Sequence, residues 1–166
     1  DLEQYCLNGS SQTYNGLEQD KKTPTYGGYS NTIVVNEDFV LHISDKLNLA
    51  AVAPLLCAGI TTYSPLRYWK VGKGHKLAVL GLGGLGHMAV KFGVAFGADV
   101  TVLSTSPKKE ADAKKLGAHH FVVTTDEAQI NAAKGTFDFR LDTVSAEHDF
   151  NMYLSLLRTN GTHICV

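Results

Sequence analysis

Three glycines at fixed spacing are the residues of this chain with the clearest chemical potential. Gly81, Gly83 and Gly86 form a GxGxxG pattern that follows an apolar run and precedes a helical pattern. In that context the glycines permit a tight turn, a close approach of backbone to pyrophosphate, and packing of the helix on its strand. N–H groups at a helix start bind phosphate oxygens. The segment therefore predicts a dinucleotide site that includes Gly84 and Leu85, the alternative being a glycine-rich turn that binds nothing.

The tip of the next predicted strand indicates which dinucleotide is bound. An NAD site usually has an acidic residue about 20 residues past the glycines, where it binds the ribose 2′-hydroxyl. Here the strand at 100–103 is followed by Ser104, Thr105 and Ser106, and then by Lys109, with no carboxylate at the tip. Hydroxyl donors, a helix N-terminus and an ammonium group attract a 2′-phosphate. We therefore predict NADP(H) over NAD(H), the alternative being that Ser106 only caps the next helix.

The elements that position these residues alternate between strand and helix. Predicted strands lie at 77–80, 100–103, 121–123, 137–144 and 162–166, and predicted helices at 85–96, 107–116 and 150–157, with a capping box at 124–127 opening a further short helix. Such alternation predicts an α/β fold with a parallel sheet covered on both faces. With the glycine motif at its first turn, this is a doubly wound, Rossmann-type sheet with its ligand at the strand C-termini. A sixth strand would be expected, so we predict a sheet incomplete at its C-terminal end.

The first third of the chain has a different character. Residues 7–31 are polar and rich in turns, 33–35 and 39–43 have the pattern of short strands, and the apolar stretch 48–57 contains Pro54, which predicts a broken helix. We predict a boundary between domains 1–56 and 57–166. Because the chain lacks an initiator Met and its ends read as interior sequence, we expect a fragment of a longer protein.

The bulk composition excludes several classes of function. The 166 residues are 44% hydrophobic and carry a net charge of −1, which suits a globular core and predicts neither a nucleic-acid nor a membrane partner. No apolar run approaches the roughly 20 residues of a membrane span. The three cysteines, Cys6, Cys57 and Cys165, form no CxxC pair, so this chain alone offers no self-contained zinc cluster, and a cytoplasmic location is expected. From its surroundings alone, Cys57 is either a small core residue or a metal ligand.

Several motifs together resemble the zinc-dependent medium-chain alcohol dehydrogenases. They are the segments 54–66, 81–88, 116–119 and 141–144, supported by 25–30 and 33–35. The similarity is greatest to the cinnamyl alcohol dehydrogenase-like branch of NADP(H)-dependent aldehyde reductases. It implies that residues 1–56 are the end of a mainly-β, GroES-like catalytic domain and that 57–166 form the NADP(H)-binding Rossmann domain without its last strand.

The resemblance also implies roles for single residues. Cys57 matches a ligand of the catalytic zinc, and Cys6 the last of four cysteines around a structural zinc, with the other ligands upstream of Asp1. Thr61 matches a threonine that contacts the cofactor, and Thr143 a position beside the nicotinamide half. Arg140 departs from the pattern, in a strand position where the family has a hydrophobe. Because an unpaired buried arginine is costly, we expect it to face outward or to pair with a carboxylate such as Asp138.

The implied function is that of a zinc-dependent oxidoreductase. It would transfer a hydride between NADP(H) and a primary alcohol/aldehyde pair, as a homodimer when full length, whereas the 166 residues alone are expected to be inactive. Two alternatives stay open: a zinc-free NADPH quinone reductase-like enzyme of the same superfamily, and a non-catalytic nucleotide-binding protein with the same fold.

Overall fold

The structure is a computed structural model that describes Tyr5 and residues 7–166. The chain divides into two compact units, Asp1–Ser44 and Asp45–Val166. The first unit contains a small antiparallel ribbon of β1 (Gly16–Leu17) and β2 (Pro24–Thr25). The side-chain oxygen of Thr25 accepts a hydrogen bond of 3.0 Å from the Gly16 N–H and closes the ribbon. The division of the chain into domains 1–56 and 57–166 stays a prediction.

The strands predicted at 33–35 and 39–43 are wrong. A single turn of 3-10 helix, Glu37–Phe39, lies between them, and the flanking residues pair with no strand among those that the structure describes. Apolar side chains there are exposed, Val34 at 96% and Leu41 at 73%. An apolar run favours extended backbone, but a strand also needs a neighbour for its hydrogen bonds.

The second unit is built on a five-stranded, all-parallel sheet. Its strands are β3 (Lys76–Leu80), β4 (Asp99–Ser104), β5 (His120–Val123), β6 (Phe137–Asp142) and β7 (Leu157–Cys165). Their spatial order is β5-β4-β3-β6-β7. The chain winds outward from β3 in one direction and then returns to wind in the other. This confirms the predicted doubly wound sheet, and its switch point lies between β3 and β6, where such folds bind ligands.

The helices of this unit cover both faces of the sheet. They are α1 (Leu49–Val52), α2 (Ala58–Tyr68), α3 (Gly84–Ala95), α4 (Glu110–Lys115), α5 (Glu127–Ala133) and α6 (Phe150–Leu154). Along β3, Leu77 and Val79 belong to one apolar cluster and Ala78 and Leu80 to another. Because alternate side chains of a strand point to opposite faces, β3 is buried on both sides, which explains its uninterrupted apolar sequence.

The helix predicted to break near Pro54 does break. After α1 the chain forms a 3-10 segment, Ala53–Leu56, with Pro54 in its first turn, and α2 begins after Cys57. The two helical pieces meet at 49°. Cys57 has φ −122° and ψ −81° and therefore lies at the break itself. In the described part of the chain, no single helix has the length and apolar character to cross a membrane, and only this bent pair, taken together, meets that criterion.

The predicted capping box at 124–127 is wrong in its details. The cap of α5 is Asp126, whose carboxylate accepts hydrogen bonds from the N–H groups of Ala128 and Gln129. Thr124 still belongs to the β4–β5 ladder, since its N–H donates to the Ser104 carbonyl at 2.9 Å, and its buried hydroxyl has no hydrogen-bond partner among the described residues. A serine, threonine or aspartate can all cap a helix, so the choice depends on where the strand ends.

The last strand starts five residues earlier than the predicted 162. The predicted helix at 150–157 ends at Leu154, and Leu157 already pairs with Phe137. A register shift follows before Thr162 pairs with Phe139, and Asn160 has φ 63° within this irregular stretch. The polar, turn-like residues between these pairs thus form a bulge inside a strand, and sequence patterns do not separate a bulge from a loop.

Arg140 does not face outward; it pairs with a carboxylate, as the second alternative predicted, but that carboxylate is Asp142 and not Asp138. Its side chain is fully buried, and Nε and Nη2 lie 3.1 and 3.0 Å from Nδ1 of His163, its register partner on β7. The guanidinium also lies 3.6 Å from Asp142 and over the rings of Phe150 and Tyr153, while Asp138 pairs with Arg158. Burial, followed by the Arg140 charge, lowers the pKa of His163. His163 as hydrogen-bond acceptor and Asp142 as opposite charge therefore compensate together for the burial of Arg140.

We expect Arg140→Leu to destabilise the protein by about 1–3 kcal/mol, because it leaves a half-buried imidazole nitrogen without its donor. The double variant Arg140→Leu/His163→Leu should lose less stability than the sum of the two single variants, since it leaves no imidazole nitrogen without its donor. Urea unfolding of the full-length protein in a double-mutant cycle measures the coupling. Additive losses from the two single variants would contradict the pairing.

Candidate functional site

The glycine turn lies at the carboxyl end of β3, at the switch point of the sheet. The Gly81 N–H donates to the Leu103 carbonyl at 2.9 Å, and Gly81 has φ +89°, in the region that favours glycine. A Cβ atom on Gly81 would lie 2.7 Å from Cγ2 of Val144, and one on Gly86 would collide with the carbonyl oxygen of Gly81. The first and third glycines are therefore required by the fold itself.

The middle of the motif has a different environment. A Cβ on Gly83 or Gly84 would meet no atom within 4 Å. Gly83 is the N-cap of α3, a helix of 12 residues, and it offers no side chain to occupy the first N–H groups. The turn thus leaves open space beside a helix N-terminus, which is the arrangement that accepts a diphosphate. This open backbone fits the cofactor that the sequence predicts.

The residues predicted to bind the 2′-phosphate lie beside this turn. Ser104 is buried, and its hydroxyl accepts a hydrogen bond of 3.2 Å from the Ser106 N–H. Thr105 is exposed at the strand tip. Ser106 precedes the 3-10 turn Pro107–Lys109, but its side chain makes no capping hydrogen bond. Its hydroxyl therefore stays available for a ligand, contrary to the alternative that it serves only as a cap.

Lys109 links the two parts of the candidate site. Its ammonium group lies 3.3 Å from the carbonyl oxygen of Leu82, inside the glycine motif and 27 positions away in sequence. The structure thus brings Gly81–Gly86 and Ser104–Lys109 together at one edge of the sheet. A cation beside a helix N-terminus produces a region of positive potential that suits a ligand with several phosphate groups.

Thr143, which the sequence predicts to contact the cofactor, follows the end of β6 and lies next to Gly81 of the glycine turn. Its hydroxyl donates to the Leu80 carbonyl at 2.8 Å and its N–H to the same oxygen at 3.1 Å. Thr61 lies half-buried on α2, where its N–H donates to the Cys57 carbonyl. That helix packs on α3 through the ring of Tyr63 against Phe92 and Phe96.

Of the two predicted metal ligands, the structure describes one. Cys57 is an exposed free thiol at the start of α2, whereas Cys6 lies outside the described residues. Within Tyr5 and 7–166, no group of three or more His, Cys, Asp or Glu side chains is arranged to hold a metal ion. Of the described residues, Cys57 is the one predicted zinc ligand, and its thiol is exposed.

Two residues of the site were not found by sequence reasoning. Asp142 is buried at the end of β6, where Oδ1 accepts from the Val144 N–H at 3.1 Å and Oδ2 lies 2.9 Å from Nε2 of His148. The available signal was a carboxylate at a strand tip next to Thr143, but its partner depends on how the following loop folds back.

Comparison with known sequences shows what this chain resembles. The family model described as zinc-binding dehydrogenase matches residues 84–166. A probable formaldehyde dehydrogenase AdhA of Bacillus subtilis is 53% identical, over 99% of this chain and 47% of that protein. The NADP-dependent alcohol dehydrogenase C 1 of Mycolicibacterium smegmatis is 56% identical, over 96% of this chain and 46% of that protein. The chain spans about half the length of the curated relatives that it matches.

Solved structures give the same picture for the fold. A cinnamyl alcohol dehydrogenase of Sorghum bicolor superposes with a TM-score of 0.89 at 46% identity, over 98% of this chain and 47% of that one. The CAD of Helicobacter pylori complexed with NADP(H) superposes with a TM-score of 0.86 at 44% identity, over 99% of this chain and 46% of that one.

Proposed function

Because the chain belongs to the zinc-binding dehydrogenase family, we propose that it is the cofactor-binding part of an NADP(H)-dependent alcohol dehydrogenase or aldehyde reductase. The full-length enzyme would transfer a hydride between NADP(H) and a primary alcohol/aldehyde pair. The observation that carries the proposal is the contact of Lys109 with the Leu82 carbonyl, which places a cation and the strand-tip hydroxyls beside an open glycine turn. Relatives named as NADP-dependent alcohol dehydrogenases support it.

Each part of the site has a defined role in holding the cofactor. The first N–H groups of α3, from Gly84 and Leu85, would bind the pyrophosphate. The hydroxyls of Ser104, Thr105 and Ser106 and the ammonium group of Lys109 would bind the 2′-phosphate. Lys109 now contacts a neutral carbonyl, and a phosphate is the stronger partner because its hydrogen bond is charge-assisted at both ends. When bound, NADPH supplies the hydride.

The nicotinamide half would lie toward β6 and α2. There Thr143 and Thr61 are proposed to contact it, and the main task of these side chains is orientation. Thr143 is suited to this because its hydroxyl and N–H are both fixed on the Leu80 carbonyl. Correct placement of the reacting groups accounts for a large part of the barrier reduction in such reactions.

Cys57 is proposed as a ligand of the catalytic zinc, and Cys6 as a ligand of a structural zinc. The exposed thiol of Cys57 is accessible to a metal at the start of α2, and its further ligands would come from sequence outside this chain. When bound there, zinc would supply Lewis-acid chemistry at the substrate carbonyl, and Cys57 would help to hold it. The substrate would be a small alcohol or aldehyde.

A homodimer is the proposed full-length form. A cytoplasmic location is also proposed, in keeping with the free thiols at Cys57 and Cys165.

We expect Lys109→Ala in the full-length protein to weaken NADPH binding about 10–100-fold, because it removes a charge-assisted hydrogen bond to the 2′-phosphate. NADH binding should change little, since NADH lacks that phosphate. Fluorescence titration of both cofactors measures the two dissociation constants. Lys108→Ala is the matched control, because Lys108 is an exposed lysine on the same 3-10 turn. A wild-type protein that binds NADH more tightly than NADPH would refute the preference.

A further inference from the structure

Both ring nitrogens of His148 face hydrogen-bond acceptors. Nδ1 lies 2.7 Å from the Ala146 carbonyl oxygen, and Nε2 lies 2.9 Å from Oδ2 of Asp142. A carbonyl oxygen only accepts, and Oδ2 of Asp142 also lies 3.6 Å from the buried Arg140 guanidinium, so it faces a second donor. A neutral imidazole carries one N–H group and an imidazolium carries two. The geometry is therefore satisfied only when His148 is protonated.

We propose that protonated His148 is a positioning residue that fixes the β6–α6 loop, residues 143–149, and thereby holds Thr143 against the glycine turn for cofactor binding. This inference rests on the proposed function. His148 would not touch the reacting atoms. It would act through Asp142, the residue immediately before the loop, and through the Ala146 carbonyl inside it.

The contacts of the loop explain why its position matters for the site. Oδ1 of Asp142 accepts from the Val144 N–H, and the Thr143 hydroxyl donates to the Leu80 carbonyl. Val144 packs closely on Gly81, since a Cβ atom added to Gly81 would lie only 2.7 Å from Cγ2 of Val144. The start of the loop is thus one wall of the turn that would hold the pyrophosphate. A displacement of this wall changes the binding surface directly.

The charges around His148 come from three elements besides its own loop. Asp142 and Arg140 face it from β6, Tyr153 from α6 and His163 from β7. Glu147 and Asp149 of the loop are exposed. The pKa of His148 is raised, first by the hydrogen bond to Ala146 and then by Asp142, against the opposing effects of burial and of Arg140. His148 therefore keeps its second proton to a higher pH than an ordinary histidine, whose pKa is about 6.5.

The sign of the pH effect follows from this shift. A group whose pKa is raised in the folded protein contributes its stabilisation fully below its unfolded pKa and loses it as the pH rises through the folded pKa. When His148 loses a proton, one of its nitrogens presents a lone pair to an acceptor oxygen, and that contact becomes repulsive. The loop then loses one of the two hydrogen bonds made by His148, and cofactor binding weakens as the solution becomes more alkaline.

The test is the dissociation constant of NADPH for the full-length protein between pH 6 and 9. The wild type should bind about tenfold more weakly at the alkaline end, as one charge-assisted hydrogen bond is lost. His148→Gln should bind weakly across the range and lack this component of the pH profile. His120→Gln is the control, because His120 is an exposed histidine that also faces a carboxylate, Asp99 at 3.2 Å, and lies at the opposite end of the sheet. The 2′-phosphate of NADPH itself titrates near pH 6, and this contributes equally to the pH profiles of the wild type, His148→Gln and His120→Gln.

A second measurement is independent of cofactor binding. The ¹⁵N shifts of the His148 ring should report two protonated nitrogens at pH 6 and a titration midpoint above that of an unfolded histidine, and Asp142→Asn should lower this midpoint. Ring shifts of a neutral tautomer at pH 6, or a pH profile of His148→Gln equal to that of the wild type, would overturn the inference. Absence of NADPH binding by the wild type at every pH would instead refute the proposed function, while the ring shifts still decide the state of His148.

Discussion

Replacing Cys57 by serine in the full-length protein is expected to abolish aldehyde reduction and to leave NADPH binding intact. A serine hydroxyl is a poor zinc ligand, whereas a metal-bound cysteine is a thiolate. Loss of the Lewis acid removes several kcal/mol of transition-state stabilisation, a rate loss on the order of a thousandfold or more. Cys57 lies at the break before α2 and not in the glycine turn, so the cofactor site should persist. The measurements are kcat, the dissociation constant of NADPH and the zinc content.

Cys165→Ser is the matched control for this substitution. Cys165 is the other free thiol of the described chain, and it lies on β7, with its sulfur 2.9 Å from Nε2 of His163. A serine can keep a hydrogen bond to that nitrogen, so turnover should stay at the wild-type level. Undiminished turnover by Cys57→Ser, with no change in zinc content, would remove the catalytic-zinc assignment and favour a zinc-free NADPH reductase. Loss of NADPH binding together with turnover would instead assign Cys57 to the cofactor site.

The fold class was predictable because its signals are local and repeated. The strands β3 and β4 carry apolar runs that are buried on both faces, and each strand from β3 to β6 is separated from the next by a helical pattern. The glycine motif fixed the first turn, because only glycine tolerates the φ of Gly81 and the close approach at Gly86. The proximity of Lys109 to this turn followed from the topology, since adjacent parallel strands end at the same edge.

Pairings between distant residues could not be predicted in this way. Arg140 is buried because the register of β6 and β7 places it opposite His163, and no feature of the local sequence encodes that register. His148 meets Asp142 because a seven-residue loop folds back on the strand end. The cap of α5 shifted from Thr124 to Asp126 because β5 continues its hydrogen-bonding by one residue. In each case the local sequence allows more than one arrangement of the side chain, and a contact with a distant residue determines which one forms.

The largest combined effects on folding and binding are expected from alanine substitutions within the glycine turn. In Gly86→Ala the new Cβ collides with the backbone carbonyl of Gly81. Gly81 cannot move aside, because it packs closely on Val144 and Thr143. Relief therefore requires the start of α3 to move off the strand, which should cost about 1–3 kcal/mol of stability, as other overpacked sites do. The same movement withdraws the helix N–H groups from the pyrophosphate, so NADPH binding should be lost as well.

Gly83→Ala separates these two effects, because the new Cβ meets no protein atom within 4 Å. Its backbone φ of −96° is available to alanine, so the free energy of unfolding should change by no more than about 0.5 kcal/mol. The methyl group nevertheless occupies the space through which backbone approaches a pyrophosphate, and NADPH binding should weaken at least tenfold, as a roughly 1.4 kcal/mol loss of contact predicts. Urea unfolding and cofactor titration of the full-length variants separate the outcomes. If Gly83→Ala binds NADPH like the wild type, the open face of the turn does not hold the diphosphate. If Gly86→Ala is as stable as the wild type, the third glycine is not required by packing.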